Sequence, residues 1–221
     1  MATIPALRVR PPEGFAALPL YGSEQQRIDE ARKLVEQAQA AGQPVDPDFA
    51  QHVLAVGERF ASFNIRLMGT FAVSTPEGPA TANAVLAVQE LESPRADLIA
   101  KDRSQAATAL RNLIQARTPG AEVSVVDLPC GPTVAAVILG EFRVPGEKTG
   151  KSEETVIPVH RAQFTVVAPS GRHLVILDVN TPSEKAWPTV AEQAVAMARS
   201  IEFVDAQVEQ QEAAVPSTES S

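Results

Sequence analysis

One cysteine and three histidines are the side chains best suited to chemistry, and their positions decide what that chemistry could be. Cys130 lies in Leu-Pro-Cys-Gly-Pro, a turn between two apolar runs. A nucleophilic thiol needs a neighbouring base or a positive charge to hold its thiolate. The nearest titratable residue in sequence is Asp127, whose charge would oppose that thiolate. The turn therefore reads as a tight bend filled by a small apolar side chain. His160 and His173 flank Ser170–Gly171 and could face each other near the open end of a hairpin. Together with Cys130 they make the one conceivable hydrolase constellation. His52, His160 and His173 show neither the i, i+4 helical spacing nor the short Cys/His spacing of a metal site, and no metal is expected.

Gly146 to Ser152, Gly-Glu-Lys-Thr-Gly-Lys-Ser, imitates a phosphate-binding loop. The first glycine stands one residue too close, and Pro145, which offers no N–H, holds the required position. The following Glu153–Val159 reads as a strand, so no helix dipole meets a phosphate. Nucleotide binding is not expected. Asp178 sits in an otherwise apolar strand, Leu-Val-Ile-Leu-Asp-Val-Asn-Thr-Pro. A carboxylate in such surroundings must be paired, hydrogen-bonded or protonated. The expected role is to organise the next turn by accepting backbone N–H bonds from residues 181–184. No catalytic, cofactor-binding or metal-ligating residue is assigned, and no cofactor is implied.

The elements that would position these residues follow from periodicity. Residues 1–22 are proline-rich and extended, with a possible strand at Leu18–Tyr21. Ser23 caps a helix through Gly42, and Asp46–Pro47 opens a second helix to Phe60. From Phe63 the apolar period changes to two, and Pro76–Pro79 turns the chain into a second strand, 80–91, which makes a hairpin. Gly69 interrupts the first strand as a bulge would. Ser93–Pro94 starts a helix to Arg117 whose apolar stripe is broken by Asp102. Four strands follow at 123–128, 133–144, 155–168 and 172–179. Thr133–Leu139 is apolar on both faces, which predicts a central strand covered on both sides. Pro158 pulls its strand toward an edge or bulge. A last helix carries Trp187, Val190, Ala194, Met197 and Ile201 on one stripe, with Trp187 as a core anchor. The fold class is α+β: one domain over 23–204, a mostly antiparallel sheet of about six strands covered by helices, with two helices at its N-terminal side.

Among the 221 residues, 44% are hydrophobic and 21% charged, enough for a core and an ordinary soluble surface. The lone cysteine allows no internal disulfide and suits a reducing compartment. Arg and Pro interrupt the N-terminus where a signal peptide needs an apolar core, and no apolar run approaches the ~20 residues of a membrane helix. A soluble, cytoplasmic protein is expected. The net charge is −8, and Asp205, Glu209, Glu212 and Glu219 place half of it in a tail, 205–221, read as disordered. Without a basic stripe, nucleic acid is not an expected partner.

The stretches Pro12–Arg27 and His173–Phe203 resemble a group of uncharacterised actinomycete α/β proteins. The C-terminal part is also similar to sandwiches of the Mog1/PsbP shape, in which a strand ending in a Thr-Pro turn feeds a Trp-bearing helix and a Ser-Ile-x-Phe finish. Such proteins mostly bind other proteins or ligands, and the resemblance implies the same here. The leading expectation is a non-enzymatic protein-interaction module that binds another protein or its own copy. The alternative is a small-ligand binder with a pocket between sheet and helix lined by Phe63, Met68 and Phe71. A hydrolase centred on Cys130, His160 or His173 is the third.

Overall fold

The structure, a computed structural model, describes residues 4–40, 63–145 and 153–204, with scattered positions between 51 and 60. The second expected N-terminal helix, His52, the Gly146–Ser152 loop and the acidic tail lie wholly or largely outside the described residues. The chain runs β1 (Ala6–Arg8), β2 (Ala16–Ala17), α1 (Glu24–Ala40), β3 (Ile65–Thr75), β4 (Gly78–Glu90), α2 (Ala96–Lys101) and α3 (Arg103–Arg117). It continues through β5 (Glu122–Leu128), β6 (Gly131–Val144), β7 (Thr155–Val167), β8 (His173–Thr181), α4 (Trp187–Arg199) and β9 (Glu202–Val204).

An antiparallel sheet of seven strands, ordered β2-β3-β4-β8-β7-β6-β5, forms the body, rather than the six expected. The added strand is β2, which pairs with β3 at Ala16–Ala17, two residues ahead of the predicted Leu18–Tyr21. Its approach explains Gly69. That residue stays in regular register opposite Ala84, and a Cβ there would meet the backbone of Ala16 and Ala17. The irregularity falls earlier, between Ile65 and Leu67. The first and last described strands form their own ladder, with Leu7 opposite Phe203 in β1 and β9.

Period-two alternation places Phe71, Val73, Ala84, Leu86, Val88, Phe164, Val175, Leu177 and Val179 on one face. Against that face α4 lays Val190, Ala194, Met197 and Ala198, with Ile201 just beyond. Each large side chain fully buried here contributes roughly 1.5–3 kcal/mol. Trp187 is only half-buried and sits at the rim of this core, where Ala186 takes the interior position. The other face is covered in part by α3, which packs on β5, β6 and β7 above buried Val134 and Ala136.

Local signals explain the helix boundaries. Ser23 and Gln26 form a reciprocal capping box: Gln26 N–H donates to Ser23 Oγ at 3.3 Å and Ser23 N–H to Gln26 Oε1 at 2.8 Å. The single helix expected over 93–117 is two helices. Asp102 leaves helical geometry and accepts the Gln105 N–H at 2.9 Å, so the residue that broke the stripe is the cap of α3.

β6 is second from the sheet edge, not central, and its outer half is bare: Leu139 is 68% exposed. The cause is a mismatch of strand lengths. β5 pairs with β6 only as far as Val137, and β8 pairs with β7 only from His160 onward. β6 and β7 continue together to Val144 and Thr155. Residues 138–144 and 155–159 therefore form a two-stranded arm with both edges unpaired among the described residues. Pro158 lies in this arm, past the end of β8, where its missing N–H removes no ladder bond on that side.

Candidate functional site

The sheet face opposite α4 carries a groove beyond the part that α3 covers. Asn83, Asn180 and Arg161 stand directly across from one another on β4, β8 and β7, and Asp178 lies two residues before Asn180 on the same face. Their side chains form one chain of hydrogen bonds. Asn83 Nδ2 donates to Asn180 Oδ1 at 3.2 Å, and Asn180 Nδ2 donates to Asp178 Oδ1 at 3.2 Å. Arg161 Nε donates to Asp178 Oδ2 in a short ion pair. The Asp178 side chain keeps 15% of its exposure and that of Arg161 keeps 41%. A carboxylate this withdrawn is tolerable only because both oxygens are engaged. Ile138, Phe142, Ile157, Val159 and Pro182 make apolar walls around a groove of about 500 Å³.

Asp178 thus does not organise the following turn. Thr181 does so instead, donating its hydroxyl to Thr81 O at 2.9 Å and accepting the Ser183 N–H at 3.2 Å. Ser183 Oγ in turn accepts the Ala186 N–H at 3.2 Å. The partner that the sequence reading missed is Arg161. Arg161, Gln163 and Thr165 alternate along β7 as Asp178 and Asn180 do along β8. Two neighbouring strands with polar residues at i, i+2 are the signal that could have revealed a shared polar face.

The histidines are not brought together. His160 pairs with Thr181 at one end of β8, whereas His173 opens that strand at the other and pairs with Glu90. The His160 ring stacks on Trp187 with centroids 5.6 Å apart. His173 is buried, and its Nδ1 has no hydrogen-bond partner among the described residues. Cys130 is buried, with Sγ 3.8 Å from Thr133 Oγ1. Burial pushes the Cys130 thiol up, which opposes thiolate formation. The neighbouring cation, Arg103, is spent on carbonyls: it donates to Cys130 O at 2.6 Å and to Val167 O at 3.0 Å. Among the described residues no group of three or more His, Cys, Asp and Glu side chains could hold a metal ion.

The pocket expected from Phe63, Met68 and Phe71 is not assembled. Phe63 is exposed ahead of β3, while Phe71 is buried beneath α4 near Phe15, their ring centroids 6.5 Å apart. Met68 and Phe71 are an odd number of residues apart in a regular ladder, so they point to opposite faces.

On the arm, Leu139 and Val156 share the face of Trp187 and His160, and Phe142 points to the groove side. Phe142 is 61% exposed. Arg143 bridges Glu141 at 3.2 Å and Glu154 at 3.3 Å, placing charges beside this apolar surface.

No family model matches the chain, and no curated protein matches it. Among solved structures it is similar to LpqN of Mycobacterium tuberculosis, a protein involved in cell envelope biogenesis. The TM-score is 0.39 at 12% identity, over 91% of this chain and 84% of that one. It is also similar to cyanobacterial PsbP from Synechocystis, with a TM-score of 0.33 at 13% identity, over 65% of this chain and 88% of that one. The expected likeness to a PsbP-shaped protein thus recurs among the solved structures. No described helix is long and apolar enough to cross a membrane.

Proposed function

We propose that this chain is a non-enzymatic protein-interaction module, working in the cytoplasm, that presents the β6–β7 arm to a partner polypeptide. The observation that carries this reading is the exposure of Leu139 and Phe142 on a ribbon whose two edges are unpaired among the described residues. A lone two-stranded ribbon is marginal in water, and free strand edges are templates for further pairing. Apolar side chains on such a ribbon gain most when a partner covers them, with backbone hydrogen bonds fixing the register. The Arg143 bridges and Pro158 suit an edge that must resist indiscriminate pairing while remaining available. The chemistry of Cys130 agrees: a buried thiol disfavoured as thiolate fits a structural role in a reducing compartment better than a nucleophile.

Purification of the wild-type chain and of Leu139→Asp from the native host tests the reading. A partner, or a second copy, held in fixed proportion by the wild type and lost from the variant at unchanged melting temperature is expected. Identical recovery from both proteins contradicts it.

A further inference from the structure

We infer that the groove over Arg161 and Asp178 is a binding site for a small amphipathic carboxylate, a ligand with one carboxylate and a hydrocarbon body. The groove shares Phe142 and its other apolar walls with the arm, but the inference rests on the hydrogen-bonding capacity left unused on the groove floor. Both oxygens of Asp178 are engaged, one by Arg161 Nε and one by Asn180 Nδ2. The Asn180 carbonyl is engaged by Asn83. A guanidinium has five N–H donors in a fixed fork, and only Nε of Arg161 has a partner among the described residues. What the floor offers a ligand is therefore chiefly the two Nη groups, four N–H in one plane, on a side chain still 41% exposed.

A planar acceptor with two oxygens matches that fork by forming two parallel charge-assisted bonds. Asp178 fixes the plane of the fork beforehand, so less side-chain freedom is lost on binding. The acceptors left for a cation are weaker: each Asp178 oxygen already accepts one bond, and Glu141, the other carboxylate lining the groove, is 58% exposed and bridged to Arg143. A dianion would stand beside the Asp178 carboxylate and meet its repulsion, which favours a single negative charge. The walls specify the rest of the ligand. Ile138, Phe142, Ile157 and Val159 offer hydrocarbon surface beside the fork. At about 500 Å³ the groove lies within the ~300–1,000 Å³ range of small-molecule sites.

The test uses three ten-carbon probes below their aggregation limits: decanoate, neutral decanamide and cationic decylammonium. Binding to the full chain is followed by calorimetry or by displacement of a fluorescent probe. Decanoate is expected to bind at least tenfold more tightly than decanamide, with decylammonium weakest. Arg161→Lys should reduce that preference, because a point charge replaces the fork. Arg161→Gln should abolish it while leaving decanamide binding intact. Removing Arg161 alone strands the Asp178 carboxylate, so Arg161→Gln with Asp178→Asn is the second variant, neutral on both sides and similar in shape. Loss of the decanoate preference in whichever variant keeps the wild-type circular dichroism supports the site. Equal affinity for the three probes, no binding, or a preference that survives in the double variant overturns it. Leu139 faces away from the groove, so Leu139→Asp should leave decanoate binding unchanged, and failure of the arm reading is thereby distinguished from failure of this one.

Discussion

Arg103 and Gly131 compete for one space. A Cβ built on Gly131 would lie 2.7 Å from the Arg103 guanidinium, and Gly131 has φ +116°, which L side chains rarely adopt. That guanidinium closes the end of the sheet by bonding to the carbonyls of Cys130 and Val167 and lying over the Phe203 ring at 5.9 Å. Gly131→Ala should therefore destabilise the fold by about 1–3 kcal/mol through backbone strain alone, before any displacement of Arg103. Arg103→Ala should cost about 2 kcal/mol, since it leaves both carbonyls short of a charged donor. Denaturant unfolding of each variant against wild type reads both values.

The Cys130 thiol should be nearly inert in the folded protein. It is buried, and desolvation raises its pKa, with the Thr133 hydrogen bond and the Arg103 charge acting in the opposite direction. Labelling by a thiol-specific chromogenic disulfide should run orders of magnitude slower than in denaturant, where the thiol regains its ordinary pKa of ~8.5. Linkage gives the sign for stability. The unfolded chain loses this proton first as pH rises, so the contribution of Cys130 is fully present below the unfolded pKa and declines above about pH 8.5. Cys130→Ala should lose less stability than wild type across that window, measured as the shift in denaturation midpoint with pH. Fast labelling of the native protein would mean that the turn opens readily.

Trp187→Ala should destabilise by about 2–3 kcal/mol, below the ~3–5 kcal/mol of a fully buried aromatic, because Trp187 is half-buried and part of its contact is the stacked His160 ring. Met197→Ala, at a position 1% exposed beneath the same helix, should cost as much or more. Thermal unfolding of the pair ranks them, and the opposite ranking would place Trp187 in the interior.

Asp102→Ala should shift stability by about 1 kcal/mol, the usual worth of an N-cap. Asp102→Asn or Asp102→Ser should restore most of it, which a charge effect alone would not do. Guanidinium titrations of the three variants check this.

Periodicity made most of the fold legible. The β3–β4 hairpin, the β5–β8 meander and the α4 stripe were readable because apolar residues recur at two or near 3.6 wherever one face is buried. What could not be read was register. Whether His160 meets His173 depends on where β7 and β8 begin to pair, and that is set by Ala168–Gly171 closing the hairpin close to His173. The polar ladder was hidden for the same reason, since Asp178 meets Arg161 only across a strand boundary. Asp102 gave a true signal, a break in a stripe, but a break says only that the helix changes and not that a second helix is capped there. The arm was misjudged because apolar residues on both faces of β6 mean burial only where neighbouring strands are long enough to provide it. β5 and β8 stop short, so Leu139 and Phe142 remain in solvent.

The partner surface is tested most directly by placing a photo-crosslinking phenylalanine analogue at Leu139 or Phe142, with a control at exposed Arg117 on α3, in the native host. One dominant crosslinked species is expected from the two arm positions, a partner polypeptide or a second copy of this chain, and little from position 117. Crosslinking no stronger on the arm than at position 117 would contradict it.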